Sequence, residues 1–456
     1  MDTLIPEPIA DTNLPATEGY RLSPQQNRLW SLQQVEDGAT FRAQCVLLIN
    51  GKLDTAILKA AVETVVSRHS ILRSSFRFVS EAGVPLQVES DAKSICWNAD
   101  QELSSNVELE RLIDELSRQP FDSEFGPLVS LTLITTSPSE HRLFIALSAL
   151  CADEVTLRVL ASEISRAYAA CLNDEELSEV SMQYAVVSQW LNELLESDEI
   201  EAGREYWRSR NISNTSRHPF ERKYTESFKP QVHSIDIRRD IVDRLETLSL
   251  AECLLACWQI LLSRHTGQSD VVVAREFDGR TESDLETVIG PLAKFLPIQN
   301  NIQPNQAFSE FLKRTYEASQ EAALWQEAFA GEATSYCFAY DEESSEHRAC
   351  GLTFRVEQSY TCTDYFKLKL VCRREGNVLR AEFHYDGRYF GIDGISHIAR
   401  QFQTLLASVA NNPEEVASKL SLLSEEEQQQ QLIEWNNTST EFPSSLALPL
   451  RHSQWP

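Results

Sequence analysis

The stretch Phe144-Ile145-Ala146-Leu147-Ser148-Ala149-Leu150-Cys151-Ala152-Asp153-Glu154-Val155-Thr156 decides how the chain is read. Leu143 to Leu147 is a short apolar run of the length of a buried strand. Leu157, Leu160, Ile164, Tyr168 and Cys171 then fall at helical spacing, so an amphipathic helix follows. Asp153 stands at the turn between them, and an acid at the next position, Glu154, complements the positive end of a helix. A strand, a tight turn carrying an aspartate, and a helix have the build of a catalytic corner. Ala149, at its centre, has no group that titrates.

Working outward, Leu22-Ser23-Pro24-Gln25-Gln26-Asn27-Arg28-Leu29-Trp30 opens a helix, and Arg68-His69-Ser70-Ile71-Leu72-Arg73-Ser74-Ser75-Phe76 follows an amphipathic run. Met182-Gln183-Tyr184-Ala185-Val186 runs on to Trp190. Further on come Gly267-Gln268-Ser269-Asp270, Asp278-Gly279-Arg280 and Ile289-Gly290. Pro413 to Leu423 leads into Glu434-Trp435-Asn436-Asn437-Thr438. In this order the motifs resemble those of the condensation domains of nonribosomal peptide synthetases, over most of the chain. The resemblance implies an α/β fold, a two-lobed chloramphenicol-acetyltransferase-like pseudodimer with a central cleft or tunnel. It divides the chain into an N-terminal extension (1–19), an N-terminal lobe (20–178), a C-terminal lobe (179–424) and a linker toward an adenylation domain (425–456).

The departures from the family pattern cluster at its chemistry. The His-His-x-x-x-Asp-Gly motif reads here Ser148-Ala149-Leu150-Cys151-Ala152-Asp153-Glu154, so only Asp153 is kept. The expected Phe-x-Asn-Thr is replaced within Pro291-Leu292-Ala293-Lys294-Phe295-Leu296-Pro297, and His-Gln-Asp-x-Pro-Phe survives only as Trp325-Gln326-Glu327-Ala328-Phe329. The Asn-Pro-rich stretch that follows in the family is not recognisable around Thr334 to Tyr340. The resemblance implies that the second motif histidine serves the attacking amine; Ala149 does not. Loss of a general base costs roughly 10²–10⁴ in rate, while positioning of two tethered reactants persists. No catalytic residue is therefore assigned. Asp153 is expected to hold the corner by pairing with an arginine, Arg68 or Arg73. Glu154 is read as a helix-start acid and Cys151 as a buried thiol with no nearby base to lower its pKa. His69 and His384 are read as core or surface histidines. A heterocyclising variant is disfavoured because Ser148 stands where its first Asp is required.

Composition limits the partners. A formal net charge of −27 over 456 residues, from 68 acids against 41 bases, disfavours nucleic acid and anionic membrane surfaces. No apolar run has the length to span a bilayer, and residues 1–19 resemble neither a signal peptide nor an anchor. The ten cysteines lack any Cys-x-x-Cys pair, and no histidine joins a cysteine at ligand spacing, so reduced cytoplasmic thiols are expected rather than zinc or disulfides. Cys253 and Cys257, four apart on a Leu/Ala-rich run, are read as core.

The elements expected in the first lobe are a helix from Pro24, a strand Gln44–Leu48, a helix Thr55–Ser67 and a strand Ile71–Phe78. A helix near Val107–Arg118 and a strand Val129–Thr135 precede the corner. The acidic Asn173–Glu179 is a lobe connector. The second lobe holds helices at Val186–Leu195, Ala251–Arg264, Phe308–Trp325 and Ile395–Val409, with a strand at Asp270–Ala274. Glu425–Gln431 is charged and low in complexity, with Leu432 and Trp435 able to pack back. The expected function is a condensation-like domain with impaired or altered peptide-bond formation. It would act as a platform for carrier proteins bearing phosphopantetheine arms, for an adjacent adenylation domain, or for a trans-acting tailoring enzyme. The alternative is an acyl or aminoacyl transferase that works by positioning or a displaced base. If Met1 is the native start, donors reach it only in trans.

Overall fold

The structure, a computed structural model, describes residues 19–424 and Glu427, apart from 37–39, 80–82, 90–94, 104, 181, 211, 213–216, 223–227, 332–333 and 343–345. The expectations for 425–431, Leu432, Trp435 and the N-terminal extension lie outside the described residues, Gly19 and Glu427 excepted.

A short strand β1 (Tyr20–Arg21) leads to Ser23, which caps α1 (Pro24–Val35) through a reciprocal capping box with Gln26. Next come β2 (Arg42–Asn50), capped α2 (Thr55–Arg68), the pair β3 (Ser74–Val79) and β4 (Val84–Glu89), and the short β5 (Cys96–Trp97) and β6 (Gln101–Glu102). Then α3 (Asn106–Leu116), β7 (Val129–Ser137) and β8 (Glu140–Ser148) bring the chain to the corner, and α4 (Glu154–Asn173) follows. The expected strand Ile71–Phe78 is corrected: Ser70–Arg73 is a 3₁₀ turn and extended chain begins at Ser74. Ile71 and Leu72 both enter one core. Neighbours in a strand point to opposite faces, so the turn is what lets both be buried.

Beyond the connector lie α5 (Tyr184–Glu196), α6 (Glu201–Ser209), β9 (Pro230–Ile237), α7 (Arg239–Leu245) and α8 (Leu250–Thr266), the last ending on Gly267 with φ +72°. They are followed by β10 (Asp270–Phe277), β11 (Lys294–Asn301), α9 (Phe308–Leu324), β12 (Tyr336–Glu342), β13 (His347–Ala349) and β14 (Leu352–Thr361). The last elements are β15 (Leu368–Glu375), β16 (Val378–Asp386) and α10 (Ile392–Asn411).

The strands make two large sheets. One, of seven strands, runs β13-β14-β2-β8-β7-β5 with β6 also beside β7; the other, of six, runs β11-β10-β12-β15-β16-β9. A three-stranded sheet β1-β4-β3 sits apart. The first sheet therefore takes β13 and β14 from the C-terminal part of the chain, with Phe354 opposite Ile49 and Tyr360 opposite Gln44. On it, Ala43, Cys45, Leu47 and Ile49 pack against α2 and α4, and Val46 on the opposite face meets Leu109 and Leu116 of α3. In the second sheet Leu379, Ala381, Phe383 and Tyr385 of β16 join Trp258 and Phe402 in a helix-covered core that also holds Cys253 and Cys257. Among the described residues no single helix is long and apolar enough to cross a membrane; α7 and α8 pass such a test only as a pair bent by 109°. The architecture is the expected two-lobed α/β fold.

Candidate functional site: a closed corner between two lobes

The corner forms because β8 ends and α4 begins with Asp153 as its cap. Asp153 Oδ1 accepts from the N–H of Thr156 at 2.8 Å and from the Thr156 hydroxyl at 2.8 Å. Its arginine partner is neither Arg68 nor Arg73 but Arg280, which donates Nη1 to Oδ2 at 2.9 Å and Nη2 to Oδ1 at 3.1 Å. The backbone N–H groups of Leu292 and Ala293 complete the shell on Oδ2, at 2.8 and 3.1 Å. Burial by itself would raise the Asp153 pKa, yet the Arg280 guanidinium and these donors hold it below the usual carboxylate value. The pair is shut away, with side chains 1% and 2% exposed. Arg68 is used elsewhere, donating to Ser178 O and lying 3.9 Å from Glu163, and Arg73 pairs with Glu89 at 2.7 Å. Arg68 and Arg73 lie in a matched motif, which is why either is expected as the partner. Arg280 sits in another matched motif, 127 residues beyond Asp153, and its Nη2 also donates to the carbonyls of Val288 and Gly290.

Residues 148–153 are all buried. Ala149 belongs to the apolar core and its N–H donates to Phe41 O. Leu150 O accepts from Gln26 Nε2 at 2.9 Å, so a residue of the opening motif holds the turn. Tyr184, of the motif that opens the second half, donates its hydroxyl to Pro291 O at 2.9 Å and lies 2.7 Å from Ser23 Oγ. The Cys151 thiol points at Ile71 O, and burial pushes its pKa well up, which disfavours the thiolate.

Glu154, standing where the family motif has glycine, reaches across the cleft. It accepts from Arg373 Nη1 of β15 at 2.9 Å and from the Ser359 hydroxyl of β14 at 2.5 Å. Burial disfavours its charge, but Arg373 outweighs this and its pKa falls. Arg373 also meets Asp341 at 2.8 Å and Glu382 at 3.3 Å, and Arg158 of α4 pairs with Asp341. His384 lies 3.1 Å from Glu382 and stacks on Tyr360. His69 is buried against Glu163 at 3.2 Å. Neither histidine approaches the corner by any of these contacts.

Among the described residues, several cavities open between the lobes. One of about 1160 Å³ separates α3 and β2 from β9 and Tyr385. One of about 300 Å³ contains the Glu154–Arg373 cluster, and one of about 730 Å³ lies between α4 and β10. Residues 148–153 line none of these. No residue from Ser148 to Asp153 is more than 1% exposed, so the tunnel expected past the motif finds no accessible surface on them here. Among the described residues no group of three or more His, Cys, Asp or Glu is placed to hold a metal ion.

The family described as the condensation domain matches residues 16–432. Gramicidin S synthase 2 of Brevibacillus brevis is 27% identical over 95% of this chain, and bacitracin synthase 2 of Bacillus licheniformis 26% over 96%. This chain spans 10% and 18% of those two proteins. Among solved structures, the X-domain from teicoplanin biosynthesis superposes with a TM-score of 0.77 at 22% identity, covering 90% of this chain and 99% of that one. The first condensation domain of the calcium-dependent antibiotic synthetase reaches 0.78 at 18% identity, covering 90% and 100%.

Proposed function

Since this chain belongs to the condensation-domain family of nonribosomal peptide synthetases, we propose that it does not form peptide bonds and serves as a docking platform within a synthetase. The observation that carries this reading is Glu154. Where the motif glycine of relatives leaves no side chain, a carboxylate tied to Arg373 and Ser359 spans the lobes. In the same motif Ala149 offers no base and is buried in the apolar core. Opening the cleft at Glu154 would break a mostly buried ion pair, which costs about 3–5 kcal/mol when one partner is left unpaired.

On this reading the partners are carrier proteins with phosphopantetheine arms, an adjacent adenylation domain and a trans-acting tailoring enzyme, in the cytoplasm, where ten unpaired cysteines stay reduced. The X-domain of teicoplanin biosynthesis, similar in fold, has been solved in complex with OxyB, which supports docking of a second protein as a use for this fold. A rigid platform lowers the entropy lost when such a partner docks.

The test is a single-turnover assay with donor and acceptor carriers loaded, read by intact mass. The expected result is amide formation no faster than spontaneous aminolysis. In the whole synthetase, deleting the domain is expected to abolish product, while Val232→Trp, which crowds the cleft at an exposed position, is tolerated. Robust condensation by the unmodified chain overturns the proposal and leaves the transferase reading.

A further inference from the structure

The cavity of about 300 Å³ that holds the Glu154–Arg373 cluster is also lined by His384 of β16. Glu382 stands two positions before His384 on the same strand, so both point into the cleft. Burial outweighs the pull of Glu382 and keeps the His384 pKa below the usual histidine value, so the ring is neutral near pH 7. Its Nε2 lies 3.1 Å from the Glu382 carboxylate, which places the proton on Nε2 and leaves the lone pair on Nδ1. Arg373 holds Glu382 in turn at 3.3 Å, and Tyr360 of β14 stacks on the imidazole with an interplanar angle of 3°. Nδ1 has no hydrogen-bond partner among the described residues and is not sealed off, in a side chain 12% exposed. An imidazole oriented by a carboxylate and open at its second nitrogen has the build of a general base.

The facing wall, from the first sheet, supplies a cation with nothing to answer it. Arg158, Arg373, Arg374 and Arg380 line the same cavity and are paired with Asp341, Glu154, Glu246 and Asp236. Arg355 of β14 makes no ion pair or hydrogen bond among the described residues, and it is half-buried with none of its nitrogens sealed off. A guanidinium fixed in a cleft stabilises negative charge that develops on a carbonyl oxygen. A base and an unpaired cation on facing walls are the two groups that addition to an acyl carbonyl calls for. Ser148 to Asp153 present no more than 1% of their surface, so no second tethered reactant arrives past them, and the nucleophile is water.

We propose that His384 and Arg355 form a hydrolytic site for acyl thioesters, with His384 as general base toward water and Arg355 as partner of the oxyanion. His384 Nδ1 takes a proton from water as the water oxygen bonds to the thioester carbonyl carbon. Arg355 meets the resulting oxyanion. Its collapse breaks the C–S bond, and the imidazolium returns the proton to the departing thiolate. An acid and a thiol leave, and no further reactant is consumed. That the acyl group arrives as a thioester rests on the carrier-protein reading above; the base and the cation do not.

The experiment follows thiol release from S-hexanoyl-N-acetylcysteamine by the full chain, above the rate in buffer. Saturable hydrolysis is expected, with kcat/KM falling as pH drops below about 6.5. In that range His384, which faces Glu382, Lys369, Arg373 and Tyr360, takes up its proton. His384→Gln is expected to lower kcat about 10²-fold and to remove this acid limb. Arg355→Gln is expected to lower kcat by about 10² with KM little changed, and having no partner to lose, it is expected to fold. Imidazole added to His384→Ala should restore part of the rate, which a merely structural histidine does not allow. Hydrolysis no faster than in buffer, a rate unchanged in either glutamine variant, or a profile without the acid limb would overturn the proposal. Hydrolysis of the free thioester while a loaded carrier stays intact would support this site and count against the carrier-protein reading alone.

Discussion

At the residue scale, Asp153 joins the two halves of the molecule through one carboxylate. Asp153→Ala strands the Arg280 guanidinium, 2% exposed, and unpairs two backbone N–H groups. The expected loss is about 3–5 kcal/mol in chemical denaturation. Ser148→Ala removes only a 3.4 Å contact from the Leu150 N–H and is expected to matter far less. Equal, negligible shifts for both variants would show that Asp153 is not structural. The same pair sets an acid limit. Because the folded Asp153 pKa lies below its unfolded value of about 3.9, its stabilisation is present above that pH and is lost as pH falls through the folded value. Asp153→Asn should flatten that lowest part of the acid limb.

At the element scale, a chain of neutral side chains pins the segment after α6 to α8 and α10. His218 Nδ1 accepts from the Phe220 N–H at 3.2 Å, so its proton is on Nε2, 2.8 Å from His265 Nδ1. His265 Nε2 in turn faces Gln401 Oε1 at 2.5 Å. Burial, helped by His265, pushes His218 down to about 3. A histidine depressed in the fold supports stability above its unfolded pKa of about 6.5 and loses that support as pH falls toward 3. His218→Gln is expected to remove this slope between those two values, a window that lies mostly above that of Asp153; an unchanged profile would show that His218 carries no linkage. A second element depends on Gly290, in the Ile289-Gly290 motif. Its φ is +151°, and an added Cβ would lie 2.0 Å from the Tyr184 ring. Gly290→Ala is expected to lower the melting temperature by several degrees; a fully stable variant would mean that α5 yields at little cost.

At the scale of the whole molecule, the lobes are not separable pieces of chain. β14 lies between β13 and β2 in the first sheet, so a fragment of residues 19–183 would expose the whole edge of β2 and the Leu47 and Ile49 core beneath it. Such a fragment is expected to aggregate or remain unfolded, and restoring 346–364 as a peptide should increase its helicity by circular dichroism. Cooperative folding of the fragment alone would contradict this. Arg28–Asp364 at 3.1 Å, Glu36–Arg388 at 2.9 Å and Glu154–Arg373 at 2.9 Å tie the lobes further. Being partly buried, these pairs are screened only weakly by salt.

What the sequence by itself determined is local or carried by motif. The corner strand and helix, the start of α1 and most of the long helices follow from apolar spacing, and the two-lobed fold from the resemblance carried by motifs read in order; α6 and α7 are not anticipated. Leu379, Ala381, Phe383 and Tyr385 of β16 alternate as clearly as any strand, so that element is legible in the sequence. Three things waited for the tertiary structure: Arg280 rather than Arg68 or Arg73 as the partner of Asp153, the passage of β14 into the first sheet, and the reach of Glu154 across the cleft. Each is a contact between residues more than a hundred positions apart. Periodicity records which face of an element is buried, not which distant element buries it. The identity of an ionic partner is set by which charges the packed sheets bring within hydrogen-bonding distance, and only the folded chain decides that.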